Sequence, residues 1–156
     1  MWLAISLLIC PFVVADDNEG ASGRTPSRAG GRSQQRAVLH TADSLEIVQD
    51  RVNQKSAVLI DVREQAEWDA GHLQHAVFIP LSKLKQAEQD PELKEKLAKL
   101  SKDTILYCHC KAGGRVLTAA PILKSLGFDA RPLKAGYDSL LEAGFKQAPP
   151  TTKESE

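Results

Sequence analysis

Residues 104–127 read TILYCHCKAGGRVLTAAPILKSLG. A strand-like run, TILYC, leads into a tight stretch holding two glycines and an arginine. An apolar helical run follows and stops at Gly127. Strand, short loop and helix in that order form most of a βαβ unit, in which ligands bind at the carboxyl ends of the strands. The loop lies at such an end, and it carries Cys108, His109, Cys110, Lys111, Ala112, Gly113, Gly114 and Arg115.

The same alternation extends in both directions. AVLH (37–40) reads as a short strand. TADSLEIVQDRVN (41–53) reads as a helix with Thr41 as its N-cap and with Leu45, Val48 and Val52 on one face. AVLIDV (57–62) is a continuous apolar run of the kind a buried parallel strand shows. REQAEWDAG is a short helix closed by Gly71, and AVFIP a strand stopped by Pro80. Helical turns interrupted at Pro91 follow, with Leu93, Leu97 and Leu100 on one stripe. After the loop and its helix come a strand, FDARPL, and a last helix, YDSLLEAG, ending at Gly144. The alternation predicts an α/β fold with a parallel sheet covered on both faces.

The chain has 156 residues and equal numbers of basic and acidic side chains, twenty of each. That balance excludes the basic excess of a nucleic-acid binder. The 42% apolar content suffices for one core. Residues 1–15, MWLAISLLICPFVVA, carry no charged side chain. Spanning a bilayer takes about twenty apolar residues, so this run reads as a secretory signal cleaved after Ala15. The expectation is export to a periplasm or the extracellular space; the alternative is a membrane anchor made by residues 1–15. Residues 16–36 are rich in Gly, Ser and Arg and read as a flexible linker. The domain is expected over 37–147, followed by a disordered tail, 148–156.

Several chemistries compete for the loop. Structural zinc uses spaced pairs of ligands. Here Cys108, His109 and Cys110 crowd together, and His72 and His75 would have to close the site. No metal is expected. A thiol–disulfide oxidoreductase shows C-x-x-C, and this chain has C-x-C. The phosphatase pattern sets cysteine and arginine one residue farther apart than KAGG allows. A shorter ring of amides suits a single-atom guest better than a tetrahedral phosphate. What remains is a cysteine that carries one sulfur atom. Gly113 and Gly114 let amides turn inward, and the following helix aims its positive end at the loop. That field favours Cys110 as thiolate and then as persulfide anion. Lys111 adds a positive charge at the mouth. Arg115 either fixes the loop through a carboxylate such as Glu67 or assists with charge.

The pattern resembles the single-domain rhodanese (thiosulfate sulfurtransferase) family. CKAGGR matches its active-site pattern C-x-x-G-x-R at Cys110, Gly113 and Arg115. IDVREQAEWDAGHLQHAVFIPL and LKAGYDSLLEAGF resemble two further segments of the family, with Asp61, Arg63, Glu67, Gly71, His72, Ala76, Ile79 and Pro80 on matching positions. The resemblance implies a three-layer fold with a five-stranded parallel sheet in the order 3-2-4-5-1. It implies transfer of sulfane sulfur from a donor such as thiosulfate to cyanide or a thiol through a Cys110 persulfide, without cofactor. Lys111, Ala112, Gly113, Gly114 and Arg115 would bind substrate, with Asp61, Arg63, Glu67 and His72 in support. The partners would be a small sulfur donor, a thiophilic acceptor and a sulfur-accepting protein, with no nucleic acid and with membrane contact only if residues 1–15 are retained.

There are departures. His75 and Phe78 stand where glycine and asparagine are common, Leu140 where tryptophan is common, and Pro121 lies inside the helix after the loop. Cys108 is another. It reads either as a small buried apolar residue or as a resolving thiol for Cys110. Two other functions stay open: a carrier module delivering persulfide to a partner protein, and a thiol redox protein using Cys108 and Cys110.

Overall fold

The computed structural model describes residues 38–149. The expected signal (1–15), the expected linker (16–36), Ala37 and residues 150–156 of the expected tail lie outside the described residues.

Ten elements follow in order: α1 (Leu45–Asn53), β1 (Ala57–Asp61), α2 (Gln65–Asp69), β2 (Ala76–Phe78), α3 (Leu81–Leu84), α4 (Pro91–Ala98), β3 (Ile105–His109), α5 (Val116–Ser125), β4 (Asp129–Pro132) and α6 (Tyr137–Glu142). The described strands form one sheet in the order β2-β1-β3-β4, with every pairing parallel. Apolar side chains cover both faces. Ile60, Leu106, Cys108, Ala119 and Leu123 belong to the core on the side of α3, α4 and α5. Val48, Leu59, Tyr107, Leu133 and Leu140 belong to the core on the side of α1 and α6. Strand alternation sends Leu106 and Cys108 one way and Tyr107 the other.

Among the described residues the expected fifth strand does not form, and the sheet has four strands. Removing strand 1 from the order 3-2-4-5-1 leaves 3-2-4-5, which is the observed order β2-β1-β3-β4. Residues 38–40 belong to no strand, and Leu39 is 77% exposed. Among the described residues a single backbone bond ties the chain just after this segment to the sheet edge: Thr41 N–H donates to the Pro132 carbonyl at 2.8 Å. The physical reason lies in Pro132, which has no N–H to return, so a ladder cannot continue through it.

Local chemistry moves two other boundaries. Ser44, not Thr41, caps α1 by accepting from Ile47 N–H at 3.4 Å. The Thr41 hydroxyl instead accepts from Asp43 N–H in the preceding turn. Pro91 opens α4 after an Asp90 cap, since the first helical position needs no amide hydrogen. Pro121 does lie inside α5. His75 has φ +66°, a left-handed conformation costly for any residue but glycine, which accounts for glycine being common there in the family. Order runs past residue 147: Leu73 and Gln147 form an antiparallel bridge, and Ala148 N–H donates to the His72 carbonyl at 2.8 Å.

Candidate active site

β3 ends at His109, and α5 begins at Val116 with Arg115 as its N-cap. Residues 110–115 turn the chain between them, at the carboxyl end of the parallel sheet. Cys110 is 1% exposed. The loop lies directly on the backbone that connects β4 to α6. A Cβ on Gly113, whose φ is +77°, would run into the Lys134 carbonyl oxygen, and one on Gly136 would run into the Lys111 carbonyl oxygen. Only glycine fits such a backbone-to-backbone approach. Two carbonyls of the loop are held from outside. Cys110 O accepts from Tyr137 N–H at 2.9 Å. Gly113 O lies 2.9 Å from His40 Nε2 and accepts from it.

The loop's amides are the opposite case. Among the described residues no acceptor takes the backbone N–H of Lys111, Ala112, Gly113, Gly114 or Arg115. Successive unclaimed amides next to a helix N-terminus form an anion-binding concavity. They follow directly on Cys110, the residue that the spacing singles out as nucleophile.

Arg115 and Glu67 form a two-pronged ion pair, with contacts of 2.5 and 2.7 Å. It joins the loop to α2, as the sequence suggested. Glu67 also accepts from Glu64 N–H. The Arg115 guanidinium holds the Glu67 carboxyl far below its ordinary 4.5, at about 2. In turn Glu67, and secondarily the nearby Cys110, raise the pKa of Arg115. Because the Glu67 carboxyl titrates lower when folded, its stabilising contribution is complete above pH 4.5 and is lost as pH falls towards about 2. Glu67→Gln is expected to remove this component of acid unfolding, read as the urea midpoint against pH. A profile identical to wild type between those limits contradicts the pairing.

Lys111 is not a free cation at the mouth. Its ammonium lies 3.0 Å from the Asp138 carboxylate, and both side chains are exposed. The hydrogen bonds of the Asp61, Arg63 and His72 side chains go to groups other than Cys110. Arg63 grips Asp61 with Nε and Nη2 at 2.9 and 2.7 Å, donates from Nη2 to Gly71 O at 2.8 Å, and lies 4.0 Å over the Tyr137 ring. His72 stacks on Trp68 at 3.7 Å and contacts the Trp68 carbonyl through Nδ1. Sequence reasoning did not single out His40 or give His109 a place. His109 is fully buried 3.7 Å from Asp61, and burial pushes its imidazole down to about 4, so it stays neutral near pH 7.

Cys108 is fully buried in the same core as Cys110. Its thiol turns back to the Leu106 carbonyl at 3.8 Å, and burial pushes it up to about 12. A thiol held protonated is a poor attacking group. Cys108→Ala is therefore expected to leave sulfur release and oxidation sensitivity within about twofold of wild type. A larger change in either restores the resolving-thiol reading.

Residues 44–143 match the family model of the rhodanese-like domain. The human single-domain sulfurtransferase TSTD1 is 32% identical with a TM-score of 0.55, covering 64% of this chain and 94% of that one. The Helicobacter pylori protein hp1203 is 28% identical with a TM-score of 0.54, covering 73% of this chain and 94% of that one. The probable adenylyltransferase/sulfurtransferase MoeZ of Mycobacterium tuberculosis is 37% identical over 83 residues. That match takes in 53% of this chain but only 19% of MoeZ, so the chain spans a small part of that relative. With a four-stranded parallel sheet, a C-x-x-G-x-R loop at its carboxyl end and a family match over most of the described residues, this chain belongs to the rhodanese-like domain family.

Proposed function

We propose that the protein is a sulfurtransferase that carries one sulfane sulfur on Cys110. The observation that carries this reading is the run of unclaimed amides from Lys111 to Arg115 that follows a recessed cysteine. The Cys110 thiolate attacks the outer sulfur of thiosulfate. A new S–S bond forms, the S–S bond of thiosulfate breaks, and sulfite leaves with the electron pair. The persulfide anion then lies among the loop amides and the positive end of α5, donors placed where the charge resides. Cyanide or a thiolate attacks the terminal sulfur, and Cys110 departs as thiolate. Arg115 keeps its positive charge beside the sulfur while Glu67 fixes its direction. Both half-reactions balance with no metal or organic cofactor.

A second reading is a carrier that passes persulfide to a partner protein. The Lys111–Asp138 pair favours it, because the mouth offers a dianionic donor less attraction than an unpaired lysine would. We also infer that residues 1–15 direct export, with retention as an anchor the alternative; the N-terminal sequence of the purified native protein distinguishes them.

Mass spectrometry after incubation with thiosulfate is expected to find one added sulfur atom on Cys110, which cyanide removes as thiocyanate. No adduct overturns the first reading. An adduct that only a specific protein discharges moves the assignment to the second.

A further inference from the structure

The direction of the loop's amides is set by what holds its carbonyls. A trans peptide is planar, so its C=O and its N–H point to opposite sides. A group that fixes a carbonyl oxygen therefore also aims the next residue's amide. Tyr137 N–H does this at Cys110 O, and the His40 ring does it at Gly113 O.

The second case matters more. The Gly113–Gly114 peptide joins two glycines, whose backbones have the widest freedom of any residue. Packing restrains them unequally. The Gly113 Cα lies against Lys134, whereas a Cβ on Gly114 would meet nothing within 4 Å. On the Gly114 side the His40 bond supplies the restraint that packing does not. His40 is itself well placed for this. It is half-buried, and the next residue, Thr41, is tied to Pro132 by its backbone amide.

We propose that His40 is a positioning residue of the sulfur site, donating from Nε2–H to Gly113 O so that Gly114 N–H faces the sulfur on Cys110. His40 touches no reacting atom and acts through the peptide it holds. The inference rests on the reading of Cys110 as the sulfur carrier.

The test compares wild type, His40→Leu and His40→Gln. Leucine keeps bulk and removes the donor, while the glutamine amide keeps an N–H at similar reach. Three quantities are read: steady-state transfer from thiosulfate to cyanide, the rate of Cys110 alkylation by iodoacetamide, and Tm. His40→Leu is expected to lower kcat about tenfold with KM nearly unchanged, and to slow alkylation, because one aimed amide is lost. His40→Gln is expected to recover most of both rates, with all three Tm values close together. If wild type transfers sulfur and His40→Leu matches it, the positioning role is overturned and the sulfur-carrier reading stands. If both variants lose rate in step with Tm, His40 is a stability residue only and the proposal is overturned. If wild type takes up no sulfur while His40→Leu still slows alkylation and His40→Gln restores it, the sulfur-carrier reading fails and the positioning of the loop holds.

Discussion

Cys110→Ser is expected to lower sulfur transfer from thiosulfate by roughly a thousandfold or more, with the protein still folded. The substitution exchanges one atom at a site 1% exposed to solvent, so packing hardly changes. The chemistry changes completely. A serine hydroxyl is almost wholly protonated near pH 7 and forms no stable bond to a sulfane sulfur. The loop amides, the α5 terminus and the Arg115–Glu67 pair all remain, and none of them can accept the atom being transferred. The measurements are thiocyanate production and the mass of the loop peptide after thiosulfate, alongside Tm. A serine variant that transfers sulfur at the wild-type rate removes Cys110 from the mechanism, whatever the geometry around it.

Arg63→Met is expected to have the largest effect on stability, about 3–5 kcal/mol, because it strands a buried carboxylate. Asp61 is fully buried and Arg63 is 3% exposed. Besides gripping Asp61 through its side chain, Arg63 donates its backbone N–H to Asp61 Oδ1 at 3.0 Å and satisfies the Gly71 carbonyl. Without the guanidinium, Asp61 faces His109, whose buried ring is neutral near pH 7. The double variant Asp61→Asn/Arg63→Met is expected to regain part of the loss, since a stranded amide costs less than a stranded charge. Urea unfolding of both measures this. If the single variant unfolds at the wild-type midpoint, the pair is not the fastener the geometry implies. The consequence reaches the sulfur site as well. Arg63 leads into α2, which supplies Glu67 to Arg115, so a loosened pair also frees the arginine at the loop.

What could be read in advance followed from short-range chemistry. AVLID has the unbroken apolar run of a strand buried on both faces, and it is β1. The Cys110–Arg115 spacing and the two glycines are local facts, and they define the loop. Glu67 was within reach because α2 follows directly on the strand beside β3. The misses share a cause. Asp138, which pairs with Lys111, is 27 positions away, and Gly113 is 73 positions from His40. No periodicity or spacing announces contacts of that separation. The fifth strand failed for a different reason: AVLH has the composition of a strand, but its neighbour presents a proline where the ladder needs a donor. His75 lies between these cases. The family comparison marked the position as unusual, and only the backbone angle shows that the cost is conformational.

The bond from His40 to Gly113 also bears on where the protein can be cut for laboratory work. The family match opens at residue 44, a natural starting point for a recombinant fragment. Such a fragment would keep the nucleophile, the glycines, Arg115 and the Ser44 cap of α1. It would discard His40, which holds the loop, and Thr41, which fastens that stretch to the sheet edge. If His40 positions the loop as proposed, the rate measured on that piece alone would understate that of the longer chain. A fragment beginning a few residues earlier keeps the loop and its holder in the same molecule.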